Sequence, residues 1–428
     1  MRSVCGQVER RVAAVALVAS LLAACGERAP EGAMVLRAAR IYTAPDQPPI
    51  DDGAVLMKDG RILAVGPAHS IATRGAAELS ACDGGVVTAG FQNSHVHFTE
   101  PKFSEAGNRP AGELAAALDA MLTRYGFTTV LDTASDVDNT VALRARIESG
   151  EVAGPRILTA GWALFPGNGI PFYLRDMPAE FLSRLPQPET VEGALASVQS
   201  NLDRGADATK LFVMTPLPEG QVAFMEPDIA LAAADETHRR GLPVIAHPTD
   251  IDGVNIAIEA GVDVLVHTTI GPARTLWDAA LVSQLVEQDI AVIPTLMLWP
   301  YELNRANVPA NAVELATGDA IGQLRSFSAA GGQVLFGTDV GYMSHYDPTE
   351  EYRLMASALD PMQILASLTT APAARWKESE QRGRVAAGLV ADLVVLEADP
   401  GADAAHFAKV RCTIRGGRLI HAPAPPGD

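Results

Sequence analysis

The fold of this chain is indicated by one stretch of sequence, Gly90-Phe91-Gln92-Asn93-Ser94-His95-Val96-His97-Phe98. It follows the apolar, β-branched run Gly85-Val86-Val87-Thr88-Ala89, so we predict one strand from Val86 to His97 that enters a barrel. Residues two apart on a strand point to the same face, and His95 and His97 therefore project together at its carboxyl end. Two converging imidazoles make half of a metal site, although a lone His-x-His also occurs as two ordinary polar residues at a strand end.

Seven further β-rich runs follow this strand, and helix-like segments with apolar residues at three-to-four spacing separate them. This alternation is typical of parallel strands joined by helical crossovers. Eight strands is the number of a closed barrel, so the fold class predicted for residues 89–379 is α/β, a (β/α)8 TIM barrel. The later strands are predicted at Thr128–Asp132, Arg156–Ala160, Thr209–Val213, Val244–His247, Val264–His267, Ala291–Thr295 and Val334–Asp339. Predicted helices include Glu113–Tyr125, Val191–Arg204 and Ile229–Arg240.

The two ends of the chain share a β-rich texture that differs from the middle. Residues 34–88 contain an Asp59-Gly60 pair between two apolar runs, which is a strong hairpin signal. Residues 380–422 carry further apolar, β-branched runs. Strands at both ends that flank an α/β middle predict a small β-sandwich domain built from the N- and C-terminal segments.

The first 25 residues have the pattern of an export signal. Three arginines precede Val12–Leu22, an apolar run of 11 residues, whereas a membrane-spanning helix needs about 20. Leu22-Ala23-Ala24-Cys25 resembles the lipobox of a bacterial lipoprotein, which predicts lipidation of Cys25; a plain secretory signal is the alternative. Residues 26–33 would then be a tether. We expect an exported, lipid-anchored protein of the cell envelope, on the periplasmic face of the outer membrane in a Gram-negative cell, because Gly26 is not the aspartate of inner-membrane retention.

The composition limits the partners of the chain. Its 428 residues are 48% hydrophobic, enough for a sizeable core, and its formal charge of -18 argues against a nucleic-acid partner. Once Cys25 is lipidated and Cys5 is lost with the signal, Cys82 and Cys412 remain. They form either a disulfide, which an oxidising compartment permits, or two buried thiols. The oligomeric state, a homo-oligomer included, stays open.

Ionisable side chains recur where the predicted strands end. Barrel enzymes carry their chemistry at the carboxyl ends of the strands, and four of the nine histidines of the chain occupy such ends. Neutral imidazole and carboxylate suit zinc or a similar divalent ion. A lysine ammonium does not bind a cation, so Lys210 is either converted by CO2 to a carbamate or is a conventional lysine that pairs with a carboxylate. The residues are His95, His97, Lys210, His247, His267 and Asp339.

Several segments make the chain resemble the amidohydrolase superfamily, in the branch that includes imidazolonepropionase-like enzymes and Xaa-Pro dipeptidases. The resemblance covers nearly all of the chain after the export signal. The segments that carry it are Thr88–Phe91 before the His-x-His pair, Gly205–Lys210, Phe336–Asp339, Thr369–Ala374 and Gly383–Leu396.

The resemblance implies a centre of two divalent metal ions, with zinc expected. His95, His97 and Asp339 would hold one ion, and His247 and His267 the other. Lys210 matches the position at which this branch carries a carbamate, which would bridge the ions together with a hydroxide. Asp339 would be the general acid/base that moves a proton to the leaving group, with His267 as the second catalytic residue. The predicted reaction is hydrolysis of an amide-type C–N bond.

Two departures from the family pattern are visible. Superfamily members commonly have Asp two residues before the first histidine, and here the residue is Asn93. We expect it to alter a hydrogen bond that orients a ligand rather than ligation itself. The dipeptidases of the branch use a tyrosine soon after the lysine, and residues 211–228 contain none, which puts prolidase activity in doubt.

Three other functions can be compared with the residues present. Lactonase- or phosphotriesterase-like hydrolysis of an ester uses a similar bridged site and stays open as the alternative. A mononuclear deaminase would need a glutamate near His247, and His247-Pro248-Thr249-Asp250 offers none. A lipid-anchored scaffold without catalysis has no physical reason to keep the full ligand set.

The predicted βα-loops are rich in large apolar side chains, which favours an apolar pocket for a small-molecule substrate with apolar or aromatic groups. The aromatic candidates for substrate contact are Trp162, Tyr173, Trp299 and Tyr342. Arg175 and His345 are candidates for binding a carboxylate or carbonyl group of the substrate.

Overall fold

A computed structural model describes residues 28–175, 177–271 and 274–423. The predicted export signal and the lipidation site Cys25 lie outside these residues. Within them, no helix is both long enough and apolar enough to cross a membrane. Residues 28–33, which fall in the predicted tether, lie against neighbouring strands: the amide of Ala29 donates to the carbonyl of Arg74 (3.0 Å), and Ala29 and Ala33 are buried.

The described residues contain seventeen strands and twelve α-helices. The strands are β1 Met34–Ile41, β2 Ile50–Lys58, β3 Arg61–Pro67, β4 Ala77–Glu78, β5 Gly85–Ala89, β6 Phe91–Val96, β7 Phe127–Asp132, β8 Arg156–Thr159, β9 Thr209–Phe212, β10 Met214–Pro216, β11 Val222–Phe224, β12 Val244–His247, β13 Val264–Val266, β14 Ala291–Ile293, β15 Leu393–Leu396, β16 Val410–Arg415 and β17 Arg418–His421. The helices are α1 Ala111–Met121, α2 Val137–Glu148, α3 Ala179–Leu182, α4 Val191–Asp203, α5 Pro227–Arg239, α6 Ile251–Glu259, α7 Ala279–Glu287, α8 Leu298–Arg305, α9 Ala310–Ala329, α10 Thr349–Ala356, α11 Pro361–Leu368 and α12 Thr370–Arg375.

Strands from both ends of the chain form one sheet. Its order is β17-β16-β15-β5-β1-β2-β3, and β4 pairs with β1. The sequence predicts a sandwich, whereas the hydrogen bonds join all eight strands into a single sheet. The Asp59-Gly60 turn connects β2 and β3 as expected, and both residues have the positive φ (50° and 76°) that a two-residue hairpin turn needs. A disulfide joins Cys82 to Cys412 of β16, which decides between the two alternatives for these cysteines.

The middle of the chain is a mixed α/β fold with parallel strands. β6, β7 and β8 form one parallel sheet, and β9, β12, β13 and β14 form another. The predicted strand Val334–Asp339 has no regular strand assignment, but it makes backbone contacts between β14 and β6: Leu335 donates to Val292 (2.9 Å), and Ser94 donates to Phe336 (2.7 Å). On the other side, Asp207 before β9 donates to Thr159 of β8 (2.6 Å).

The prediction of one continuous strand from Val86 to His97 is wrong. The structure divides it at Gly90: β5 pairs with β1 and β15, and β6 pairs with β7. Gly90 has no room for a side chain, since a Cβ there would lie 2.2 Å from Oγ1 of Thr128. The chain therefore passes from the terminal sheet to the parallel strands at a position where only glycine fits.

Alternate residues of the parallel strands face two different clusters, as the pleat requires. One face packs against the helices, and the other forms the strand cluster, which consists of Leu131, Leu158, Ala160, Ala208, Ile245, Val264, Val266, Ala291, Ile293 and Leu335. Lys210 and His247 follow Ala208 and Ile245 at a spacing of two, so they continue the face of this cluster. The alternation thus carries both side chains to the carboxyl ends of the strands.

Candidate metal centre

Three ligand atoms converge beyond the carboxyl end of β6. The Nε2 atoms of His95 and His97 lie 3.2 Å apart, and Oδ1 of Asp339 lies 3.2 Å from the first and 2.9 Å from the second. All three residues are buried. Two ligands of a tetrahedral zinc ion with bonds of 2.0–2.1 Å are roughly 3.3 Å apart. The separations therefore fit a first-row divalent ion.

His267 and His247 extend the group. Nε2 of His267 lies 3.9 Å from Oδ2 of Asp339, and ligand atoms of His95, His267 and Asp339 all lie within 4.8 Å of one another. The ring of His247 lies 4.7 Å from that of His267 and stacks on Phe212 at 4.3 Å. Together with His95, His97 and Asp339 this makes five potential ligands, which is more than a single four-coordinate ion binds.

Lys210 is buried beside these residues. It is 1% exposed, and its Nζ lies 5.4 Å from the centre of the Phe212 ring. Burial lowers the pKa of Lys210 to about 7, against the opposing charge of Asp339. Among the described residues, no hydrogen bond or ion pair engages this Nζ, so the structure contains no paired carboxylate of the kind a conventional lysine would have.

The protonation states suit a cation. Burial lowers the pKa of His95 to about 4 and the pKa values of His247 and His267 well below the usual value. For Asp339, burial works to raise the pKa, but the imidazoles of His95 and His97 hold it well below the usual range. Near neutral pH the site therefore presents nitrogen lone pairs and an ionised carboxylate, which are the forms that bind a metal.

Hydrogen bonds on the far side of two imidazoles set their orientation. Nδ1 of His97 donates to the carbonyl of Ala134 (3.1 Å), and Nδ1 of His267 lies 2.5 Å from Oγ1 of Thr295. With the proton on Nδ1, each neutral ring has its lone pair at Nε2. Nδ1 of His95 is buried without a hydrogen-bond partner among the described residues.

Two of the candidate ligands have a left-handed backbone. His267 (φ 69°) and Asp339 (φ 60°) both occupy a region that non-glycine residues rarely adopt. His267 comes directly after Val266 of the strand cluster, so regular alternation would direct its side chain to the opposite face. The left-handed turn redirects it, and such strain is typical of functional sites.

Asn93 links two of the ligand-bearing segments. Its Nδ2 donates to Oγ1 of Thr338 (2.7 Å), and its Oδ1 accepts from the amide of His95 (3.2 Å). The side chain thus orients the segments that carry His95 and Asp339, which agrees with the expectation for this position.

Three of the predicted substrate residues lie near the centre. Tyr173 and Tyr342 pack with their rings 5.3 Å apart, and burial, followed by the charges of Tyr342, Asp339 and Glu302, raises the pKa of Tyr173 well above the usual value. The ring of Trp299 lies 6.2 Å from that of His267. The hydroxyl of Tyr342 donates to Glu302 (3.1 Å), a residue without a sequence signal.

The other three candidates have different surroundings. Trp162 is buried against Phe181, with ring centres 5.7 Å apart. Arg175 and His345 are exposed, and the guanidinium of Arg175 donates to the carbonyl of Ile170 (3.5 Å). Among the described contacts of these three residues, none is with the histidine cluster, and their assignment as substrate contacts stays a prediction.

The sequence matches a family model described as the amidohydrolase family over residues 86–420. The chain belongs to the amidohydrolase family. It is therefore a hydrolase of the amidohydrolase type that acts on C–N bonds, as the sequence predicts. Family membership and the His95–His267–Asp339 group agree in indicating a metal site.

Solved structures share the fold of this amidohydrolase over almost its whole length. A Xaa-Pro dipeptidase with bound methionine in the active site is 20% identical, with a TM-score of 0.75 over 90% of this chain and 99% of that chain. A prolidase complexed with N-methylphosphonate-L-proline is 25% identical (TM-score 0.73; 91% and 100%). A molinate hydrolase is 22% identical (TM-score 0.71; 90% and 94%). No curated protein matches the sequence.

Proposed function

We propose that the chain is a metal-dependent hydrolase of an amide-type C–N bond. In this proposal residues 89–379 close into a (β/α)8 barrel, and residues 34–88 and 380–422 form a second domain. The backbone hydrogen bonds from Leu335 to Val292, from Ser94 to Phe336 and from Asp207 to Thr159 support closure on both sides of the parallel sheets. The observation that carries the function is the approach of two imidazole Nε2 atoms and one carboxylate oxygen to within 2.9–3.2 Å.

The proposed centre holds two divalent ions, with zinc as the expected metal. His95, His97 and Asp339 would bind one ion, His247 and His267 the other, and a carbamate on Lys210 would bridge them. The amine of Lys210 supports this because its pKa of about 7 leaves a large unprotonated fraction near neutral pH. The unprotonated amine is the form that adds CO2: the C–N bond forms and one proton leaves to solvent.

Divalent ions at such a site lower the pKa of a water molecule and polarise a carbonyl group. The residues of the chain supply the rest of the chemistry. Asp339 is buried and ionised, so it accepts the proton of the attacking water and passes it to the leaving nitrogen. His267, held at Nδ1 by Thr295, keeps its Nε2 directed at the Asp339 carboxylate.

The proposed substrate is a small molecule with an apolar or aromatic group next to the scissile bond. Tyr173, Tyr342 and Trp299 offer aromatic surface near the centre. Glu302, which accepts the hydroxyl of Tyr342, pairs with the guanidinium of Arg305 (2.7 Å), so this arginine is not free to bind a substrate carboxylate. An amide without a free carboxylate fits this lining better than a dipeptide does.

The proposed location is the cell envelope, with a lipid anchor at Cys25. The disulfide between Cys82 and Cys412 supports export, since such bonds persist in oxidising compartments. Fractionation of cells that express the wild type and Cys25→Ser tests this proposal. The wild type should sediment with membranes and the variant should not.

Metal analysis and a hydrolysis screen test the function. The purified protein, loaded with zinc, is expected to hold two ions per chain and to hydrolyse N-acyl anilides or ureas. The screen also contains dipeptides, lactones and phosphotriesters. Hydrolysis of lactones or phosphotriesters in place of amides would favour the ester alternative, and a protein that takes up no metal would refute the proposal.

A further inference from the structure

A buried carboxylate binds the backbone directly after Thr295, the residue whose hydroxyl contacts His267. Glu351 of α10 is 0% exposed and accepts the amide N–H groups of Leu296 (2.9 Å) and Met297 (2.8 Å), one on each oxygen. Burial raises its pKa to about 7, and the two amides oppose this shift. Among the described residues, no arginine, lysine or histidine forms an ion pair with it. The two amide hydrogen bonds therefore compensate the cost of burying a carboxylate that has no cation beside it.

Those two amides belong to the turn between β14 and α8, and side chains of this turn and of the start of α8 contact the His267 segment. Oγ1 of Thr295 lies 2.5 Å from Nδ1 of His267, and the indole N–H of Trp299 donates to Oγ1 of Thr268 (2.7 Å). Thr295 has a φ of 42°, a left-handed conformation that is unfavourable for a β-branched residue. Such a conformation persists only where neighbouring groups hold it.

We propose that Glu351 is a positioning residue: by binding the amides of Leu296 and Met297 it holds Thr295 against His267 and thereby fixes the orientation of that imidazole. The inference rests on the proposed function, in which His267 binds a metal ion. Glu351 acts two contacts away from the ring of His267, and it connects the helix after the Asp339 segment to the ring of this second ligand. Groups that orient metal ligands in this way raise metal affinity.

The test is a double-mutant cycle on metal affinity. The metal-free protein is titrated with Zn²⁺ in competition with a chromophoric chelator, and with Co²⁺ to record the visible spectrum of the bound ion. Glu351→Gln removes the charge and one acceptor at constant size, and Thr295→Val removes the hydroxyl at constant shape. Glu350→Gln is the matched control, because Glu350 is the exposed neighbour on the same helix, and Thr295→Ser retains the hydroxyl.

We expect Glu351→Gln and Thr295→Val each to weaken Zn²⁺ binding about tenfold and to change the Co²⁺ spectrum. Glu350→Gln and Thr295→Ser should stay within about twofold of the wild type. Because Glu351 acts through Thr295, the double variant should be no weaker than either single variant. If Glu351→Gln does not fold, Glu351→Asp takes its place in the cycle.

Two results would overturn the inference alone: unchanged Zn²⁺ affinity in Glu351→Gln, or additive losses in the double variant, while the wild type binds the metal. A wild type that binds no Zn²⁺ would overturn the proposed function and this inference together. The two failures are thus distinguishable in one experiment.

Discussion

The carboxylate of Asp339 and the imidazole of His97 are 242 residues apart in the sequence, and their Oδ1 and Nε2 atoms lie 2.9 Å apart. The same oxygen lies 3.2 Å from Nε2 of His95. Nδ1 of His97 already donates to the carbonyl of Ala134, so Nε2 is the atom that faces the carboxylate. Two imidazole nitrogens and one carboxylate oxygen at these distances have the spacing of ligands that share one cation, which makes Asp339 the most informative residue to change.

Asp339→Asn tests the centre most directly. The substitution keeps the size of the side chain and removes the charge that attracts a cation and the base that moves a proton. We expect the zinc content to fall and kcat/KM to fall at least about 100-fold. Metal content is measured by elemental analysis of the dialysed protein. Asp289→Asn, an exposed carboxylate that pairs with Arg375, is the control and should behave as wild type; equal behaviour of both variants would exclude Asp339 from the centre.

Lys210→Ala tests the carbamate. The variant should fold, because truncation also removes a buried amine without a described partner, but turnover should be lost together with the bridge between the ions. Added acetate or propionate should restore part of the activity by replacing the carbamate oxygens. Wild-type protein in ¹³C-bicarbonate should show one carbamate resonance that is absent from the variant. A wild type without that resonance but with full activity would exclude carboxylation of Lys210.

The sequence predicts the positions of the parallel strands well, because short β-branched runs between helical segments leave few alternatives. It does not separate β5 from β6, since periodicity describes a strand and not its partners. The division at Gly90 depends on the space beside Thr128, 38 positions further along the chain. Only the folded chain shows that no side chain fits there.

The candidate ligands could be predicted because strand ends and residue types both point to them. The groups that orient them could not. Thr295 looks like the last residue of a β-branched strand, and Glu351 looks like one of two adjacent surface acids at a helix start. Their roles arise from a left-handed turn and from burial, and neither has a local pattern. Arg175 and His345, by contrast, have the right chemistry but lie on the exposed surface.

Acid should destabilise the metal-free protein. The pKa of His95 is about 4 in the folded chain and about 6.5 when unfolded, so between these values the unfolded state binds more protons and stability is lost as the pH falls. From pH 7 to pH 5, His95 alone contributes a loss of about 2 kcal/mol. Urea unfolding at both pH values measures the change. His95→Asn should reduce it by that amount, whereas the exposed His69→Asn should leave it as in the wild type; an undiminished loss in His95→Asn would contradict this account.

The disulfide should stabilise the fold by linking distant parts of the terminal sheet. Cys82 and Cys412 are 330 residues apart in sequence, so the bond restricts a very long loop of the unfolded chain. The Cys82→Ala/Cys412→Ala variant should be less stable by about 2–4 kcal/mol. Denaturant unfolding with and without a reducing agent measures this. The reductant should destabilise the wild type and have no effect on the variant; an equal effect on both would show that the bond is absent.

Tyr173 should determine the preference for an aromatic group. Its ring packs 5.3 Å from that of Tyr342. The loss of a similar contact between Tyr173 and an aromatic group of the substrate weakens substrate binding by about tenfold. Tyr173→Ala should therefore raise KM about tenfold for an N-acyl anilide and leave KM for the corresponding N-methyl amide unchanged. Met177→Ala is the matched control, since Met177 is an exposed apolar side chain of the same loop. If Tyr173→Ala raises KM for both substrates to the same extent, the ring stabilises the loop or assists the reaction and does not contact the aromatic group of the substrate.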